Sequence, residues 1–523
     1  MIQSNLDIKL SKKNFKNVSE KVAIHHDLGN YQIILFVITN IGLFPTAASM
    51  LISILFEPSK EYCQDFNNGT QKNGTFGYEF HSLFMTWQLH CQDSYLHKII
   101  TIFVMVGATI GAITSGYISD NNGRKPIIVG SLIIMGITNL LISIIGTHGW
   151  YIFSIVFFIQ GCAVGAYMSS HLILIMENLE NPRSRLLVVC LNAWPLGLCF
   201  TALISYLTKH WIYFHILNSI TSLIMASLLY LFAHESHIWL NENNLPSKAL
   251  KIKNSINKFN SGSLNNRRGI LKTEGIKILK NNPTNQNDDS ESKLITDTHI
   301  NIKESRKLTT LEIINVPKVR THLLVLAFSF FSSSIVSFVM YFSLDSVAGD
   351  PYIKMIIMGL AKFVAGLMPY FLSKWFGRMT IFLFSLALSG GGSWIFIISW
   401  YGFGKIDGLF LSVLCQVLAA TTDPVFKVNH LYSAELFPTS ARNTCRGICN
   451  AASRVGSMLA PGMILLKRFD SGLPYAVITF LLTLQWILGY LYLPETKNQL
   501  SLEKKNEEPK VEPIEDIHTR QVK

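Results

Sequence analysis

Charge is scarce in this chain: only 15% of its 523 residues are Asp, Glu, Lys or Arg, while 49% are hydrophobic. A soluble protein of that length needs more polar surface, so most of the chain must be solvated by lipid. Acidic residues are the scarcer sign, 33 against 45 basic, which leaves a net charge of +12. The surplus is not a nucleic-acid footprint, because fifteen of the Lys and Arg lie in one hydrophilic segment, 234–320, where they report sidedness in a membrane. Also missing are a phosphate-binding glycine loop, a cluster of metal-ligand spacing, and a nucleophile placed beside a base. Those absences argue against an ATP-driven pump and against an enzyme, and they call for no cofactor and no metal. Residues 1–30 contain five lysines and no apolar h-region, so no cleavable secretory signal is expected there and the arm should stay in the cytosol.

Cysteine is sparse, eight in all, and six (Cys162, Cys190, Cys199, Cys415, Cys445, Cys449) lie in or beside apolar runs, where they pack more often than they react. Cys63 and Cys91 differ, because they bracket a polar segment, 57–97, with more acidic than basic residues. That segment also contains two glycosylation sequons, at Asn68 and Asn73, which suit an extracellular loop in which Cys63 and Cys91 are candidates for a disulfide.

What the chain has in abundance is apolar runs of about 20 residues, the length that crosses a bilayer. They begin near 31, 98, 127, 150, 186, 212, 321, 352, 379, 406, 448 and 474. Twelve spans put both termini on one side, and the basic segments place that side in the cytosol. The fold expected is therefore an all-α membrane protein of twelve helices in two bundles of six. The divisions are a cytoplasmic arm 1–30, a first bundle 31–233, a linker 234–320 whose Asn- and Ser-rich stretches read as partly disordered, a second bundle 321–493 and a tail 494–523.

The two bundles echo each other. "DNNGRK" has a fainter partner in "KWFGRM", "ENLENPRSR" in "ELFPTSAR", and "HES" in "PET". From Gly123 to Gly377, Glu177 to Glu435 and Glu235 to Glu495 the offsets are 254, 258 and 260 residues. Internal duplication of this kind suits a carrier that rocks one half against the other. In "GYISDNNGRKP", Gly116 and Gly123 allow close approach and a tight turn, and Asp120, Arg124 and Lys125 supply charges for a latch. Asp120 is expected to meet a helix end of the other half when the cytoplasmic side is closed. Glu177 with Arg183 and Arg185, and Glu435 with Arg442, extend this charge network; Arg378 and Glu495 are the second-half counterparts.

On these pieces, together with "TWQLHCQDS", "ESHIWL", "KALKIKNSINKFN" and "LPETKNQL", the chain resembles the major facilitator superfamily. Within it, the resemblance is to the organic-ion transporters of solute carrier family 22, from about residue 31 to 505. The first extracellular loop is shorter than is usual there, and Lys374 stands where the first half has Asp120, which implies a weaker second latch.

The resemblance also directs attention to two buried charges. Arg454 in "SRVGS" occupies a position where cation-selective relatives look to have aspartate and anion-selective ones arginine; carnitine-type relatives share the arginine. Lys362 in "LAKFV" looks like the lysine of the organic anion branch. Two cations facing one low-dielectric cavity repel each other and are stabilised by a bound anion. Lys427 is a third cation, with Asp423 one turn before it as its expected partner. The resemblance further implies Asn40, Trp194, Phe328, Phe331 and Phe426 as lining residues, whereas Ile335 and Val336 replace a tyrosine pair.

The function implied is secondary transport of small organic anions, amphipathic carboxylates, by exchange with a counter-transported anion or by facilitated flow. A carnitine or organic-cation carrier is the alternative within the family, and a non-transporting sensor or channel the alternative outside it. The expected partners are a small organic ion and the lipid bilayer, and the sequons favour the plasma membrane.

Overall fold

The computed structural model describes residues 28–56, 63, 80–89, 96–179, 181–260, 316–344, 350–402, 408–437, 442–470 and 472–496. Among them twelve spans run through the molecule. The first half contains α1 (Asn30–Leu55, closing in a 3-10 turn), α2 (Leu96–Asn122), α3 (Arg124–Ile145), α4 (Trp150–Glu177), α5 (Pro182–Cys190 and Trp194–Thr208) and α6 (Trp211–Phe232). The second contains α7 (Pro317–Phe342), α8 (Pro351–Leu372), α9 (Arg378–Gly402), α10 (Gly408–Glu435), α11 (Arg442–Leu465) and α12 (Leu473–Tyr492). Ten are long and apolar enough to cross a bilayer; the other two, α10 and α11, contain Asp423, Lys427, Arg446 and Arg454.

Lipid offers helices no hydrophobic reason to associate, so close packing and polar contacts must hold them together. In the first half α2 lies against α4 and α3 against α6, and in the second α7 lies against α11 and α9 against α12. Inside the first half Asn139 donates to Ser49 Oγ at 3.0 Å and its Oδ1 meets His215 Nδ1 at 2.8 Å, tying α1, α3 and α6 through fully buried groups. The halves join along two seams, α2 with α11 and α5 with α8.

The duplication seen in the motifs extends to the helix caps. Glu235 accepts from the backbone N–H of Arg124 at 2.8 Å and of Lys125 at 3.1 Å, capping the start of α3. Glu495 accepts from Arg378 N at 2.8 Å and Met379 N at 3.1 Å, capping α9 in the same way. A carboxylate suits a helix N-terminus because four N–H groups there lack helical partners. Gly123, at φ 98°, makes the turn that lets Glu235 sit over the helix end, and a Cβ would collide with that carboxylate.

Several expectations are corrected here. The ion pairs of the charge motifs seen among the described residues lie within each half. Asp120 pairs with Arg124 at 3.1 Å, and Arg124, 5% exposed, also reaches Glu177 at 3.2 Å. Among the described residues Asp120 thus meets its own loop; the segment 438–441 that leads into α11 of the other half lies outside them. Arg185 donates to the Leu179 carbonyl at 2.9 Å, and Arg183 receives its backbone cap from Asn181. In the second half Glu435 pairs with Arg378 at 3.4 Å and accepts from Thr496 at 2.7 Å. The side chain of Arg442, its expected partner, lies outside the described residues. Lys125 extends over the Tyr230 ring at 5.2 Å, and Gly116 faces open space where close helix approach was expected.

Part of the linker is ordered: the helix His237–Glu242 is followed by a second over 246–260 whose Ala249 and Ile256 are buried. Asn260 accepts from Tyr31 N at 3.0 Å and donates to Gln32 at 3.1 Å, fastening the linker to the start of α1. Cys63 is disulfide-bonded. Its expected partner Cys91, both sequon asparagines Asn68 and Asn73, residues 1–27, 261–315 and 497–523 lie outside the described residues.

Candidate functional site

Between the halves lies a cavity with about 1030 Å³ of empty space, open solvent included. Its walls come from α4, α5, α7, α8, α10 and α11. Contacts between the halves flank it on both sides. Towards the charge motifs, Leu186 and Cys190 of α5 pack on Leu367, Tyr370 and Leu431. Towards the opposite end, Tyr206 meets Tyr352 edge-on at 5.7 Å, and Cys199 donates to the Ile356 carbonyl at 3.5 Å.

Arg454 and Lys362 share this cavity, as expected. α11 begins at Arg442, six residues before the apolar run does, so Arg454 stands twelve residues into its helix. At 1.5 Å per residue that is ~18 Å from the helix start, too deep for easy snorkelling. Its guanidinium makes a 3.5 Å contact with the Met168 sulfur across the cavity. A thioether is a weak acceptor for five strong donors, so a carboxylate could replace it at a gain. The main-chain oxygen of Arg454 is engaged separately, by Thr109 of α2 at 3.1 Å and Ser457 at 2.8 Å.

Lys362 is 1% exposed and better supplied than a bare cation. Its ammonium donates to the Ala419 carbonyl at 3.2 Å and Ser337 Oγ at 3.4 Å, and lies 4.7 Å from the centre of the Tyr341 ring. Those neutral partners hold the charge without cancelling it. Lys427 pairs with Asp423 at 3.7 Å, the partner expected from their spacing, and both line the cavity as well.

The remaining candidates divide. Trp194 and Phe426 are in the wall. Asn40, Phe328 and Phe331 are not. Asn40 is 7% exposed, accepting from Ala193 N at 2.8 Å and donating to the Phe36 carbonyl at 2.9 Å. It holds the interruption of α5 at 191–193, just before Trp194-Pro195, in a run expected to be continuous: proline has no N–H to give to the carbonyl four residues back, so Pro195 sits in the first turn of a new segment. Phe331 presents its carbonyl to Gly456 in the α7–α11 contact, and Phe328 neighbours it at 6.4 Å.

The wall also includes residues that the sequence reading passed over: Met168, His171, Asn192, Phe338, Tyr341, His430 and Arg446. Phe338 and Tyr341 supply on α7 the rings that Ile335 and Val336 do not. A helical register counted from Lys362 and Arg454 alone could not have placed them, but Arg446, eight residues before Arg454, shares its face of α11.

Twelve helices in two related halves with a charged cavity between them are the arrangement of a membrane transporter of the major facilitator type, and the comparisons with known proteins agree. The model of the Sugar (and other) transporter family matches residues 40–508, and the chain belongs to that family. Among curated proteins it is 25% identical to mouse solute carrier family 22 member 2 over 424 residues, 80% of this chain and 70% of that protein. It is 26% identical to human organic anion transporter 3 over 446 residues, 83% and 74% of the respective chains. Among solved structures it resembles the proton:xylose symporter XylE, with a TM-score of 0.59 at 16% identity over 90% of this chain and 99% of that one. The chain is thus a multi-pass membrane protein and a carrier, not an enzyme.

Proposed function

We propose that this protein carries small organic anions, amphipathic carboxylates, by alternating access of its two halves around the cavity. The observation that carries this reading is the placement of Arg454 and Lys362 in one buried wall, where the direct contacts of their charged ends, among the described residues, are with a thioether, a hydroxyl, a carbonyl and an aromatic ring. A carboxylate bridging the two would satisfy the guanidinium fork and the ammonium together. Trp194, Phe338 and Phe426 supply apolar faces for an aromatic or aliphatic body. The names of the relatives, organic anion transporter 3 among them, support an organic ion as cargo. An organic cation fits less well, since the carboxylate in the wall, Asp423, is engaged by Lys427.

The test is uptake of labelled salicylate, succinate and carboxyfluorescein against tetraethylammonium and carnitine in cells expressing the chain. Saturable uptake of the carboxylates alone is expected; uptake of tetraethylammonium or carnitine without the carboxylates would overturn the reading.

The same proposal places both termini in the cytosol and the chain in the plasma membrane, either as an exchanger or as a facilitated carrier. The supports are the basic arm, the basic linker and the two sequons of segment 57–97. Asn68 and Asn73 are expected to bear glycans, so glycosidase treatment should increase gel mobility and Asn68→Gln with Asn73→Gln should abolish that shift. Unchanged mobility, with a tag near residue 70 inaccessible from outside, would reverse the topology.

A further inference from the structure

Asp423 stands out among the wall residues because, among the described residues, it is the one carboxylate in a wall that also contains Lys362, Lys427, Arg446 and Arg454. It is 7% exposed, and its Oδ2 accepts no hydrogen bond among the described residues; the contact made by that oxygen is the 3.7 Å charge pair with Lys427. It lies one turn beyond Ala419, whose carbonyl holds the Lys362 ammonium, and shares the cavity wall with Lys362. Gly366 of α8 makes room for it, because a Cβ there would overlap the carboxylate. A buried carboxylate without a hydrogen bond is weakly committed to its position. It is therefore able to divide its field between two lysines.

We propose that Asp423 is a built-in stand-in for the substrate anion that offsets the cavity's cations while the carrier is empty, and so permits the empty carrier to return. The inference rests on the anion reading above. Its physical basis is the cost of closing a low-dielectric cavity over unbalanced charge. With substrate bound, its carboxylate adds a second negative charge beside Lys362 and Arg454 while Asp423 keeps Lys427. When the cavity is empty, Asp423 alone offsets the lysines. A carrier without it could still reorient loaded, but would be held back empty, which is the behaviour of an obligatory exchanger. Asp423 acts through the lysines and need not touch substrate, so it is a positioning residue.

The experiment compares two fluxes in proteoliposomes containing the full chain, with the membrane potential clamped at zero by potassium and valinomycin. The probe is carboxyfluorescein, or whichever carboxylate of the panel the parent takes up fastest. Influx is measured into vesicles without internal anion and into vesicles preloaded with the unlabelled probe. Asp423→Asn should lower influx into empty vesicles by tenfold or more while exchange stays within about threefold of the parent, and Asp423→Glu should restore the first. Equal loss of both fluxes, or loss of neither, overturns the proposal.

Should Asp423→Asn fail to fold, Lys427→Gln gives an independent reading. With Lys427 gone, Asp423 turns wholly to Lys362 and competes with substrate, so the KM for the anion should rise threefold or more. Adding Asp423→Asn to Lys427→Gln removes the competitor and should return KM to the parent value. A KM that stays high in the double variant would mean that Lys427 contacts substrate itself and that Asp423 is no stand-in. A parent that takes up no carboxylate overturns the anion reading, and this inference with it; carboxylate uptake with an unchanged flux ratio in Asp423→Asn overturns this inference alone.

Discussion

Arg454→Ala is expected to raise the KM for carboxylates at least tenfold, with surface abundance close to the parent. Removing one partner of a buried ionic contact costs about 2–5 kcal/mol, and each 1.4 kcal/mol is tenfold in affinity. The helix should tolerate the change, because the α2–α11 seam uses the main-chain oxygen of Arg454, held by Thr109, and not its side chain. Arg454→Lys keeps the charge but loses the planar fork that matches a carboxylate, so its KM should fall between those of the parent and the alanine variant. Arg454→Asp combined with Lys362→Ala replaces attraction by repulsion and should abolish anion uptake altogether. The measurement is saturable uptake per surface molecule. An alanine variant with parental KM and rate would show that the arginine contributes nothing to the substrate, and the anion reading would then rest on Lys362 alone.

Arg454 also shows what the sequence reveals and where it stops. The presence of twelve spans, their order and the two-fold repetition follow from apolar run length and motif spacing, because lipid enforces both. Lys362, Lys427 and Asp423 are legible for the same reason: a charge in an apolar run must be satisfied or functional. Direction within a bundle is harder to read. Asn40 sits in an apolar run as a polar lining residue would, yet its amide closes the α1–α5 contact at Ala193. The interruption of α5 was signalled by Trp194-Pro195, but an apolar run through both residues masks it. The charge motifs are legible in pairs because duplication repeats them; the partner of Glu177 is not, because Glu177 is nearer in sequence to Arg183 and Arg185 than to Arg124, 53 residues away. Sequence distance carries no information about which loop lies beside which in a folded bundle.

The largest effect on folding is expected from glycines that went unremarked in the sequence. Gly107 and Gly111 on α2, and Gly161 and Gly165 on α4, repeat the spacing that lets membrane helices approach closely. The structure uses all four reciprocally. A Cβ on Gly107 or Gly111 would overlap the carbonyl of Phe158 or Cys162, and one on Gly161 or Gly165 would overlap the carbonyl of Val104 or Ala108. Side chains could rotate out of the way; backbone carbonyls engaged in a helix cannot, so the helices must separate along their length. Gly111→Leu and Gly165→Leu should each reduce surface abundance tenfold or more and lower the detergent-solubilised melting temperature by more than about 5 °C. Gly116→Leu is the matched control, because it lies on the same helix, in a motif that invites suspicion, yet faces open space and should leave both quantities near the parent. The contrast separates close approach from mere intolerance of leucine in α2: equal losses at Gly116 and Gly111 would mean that helix propensity or lipid exposure governs, and parental stability of Gly165→Leu would mean that α2 and α4 are not in backbone contact.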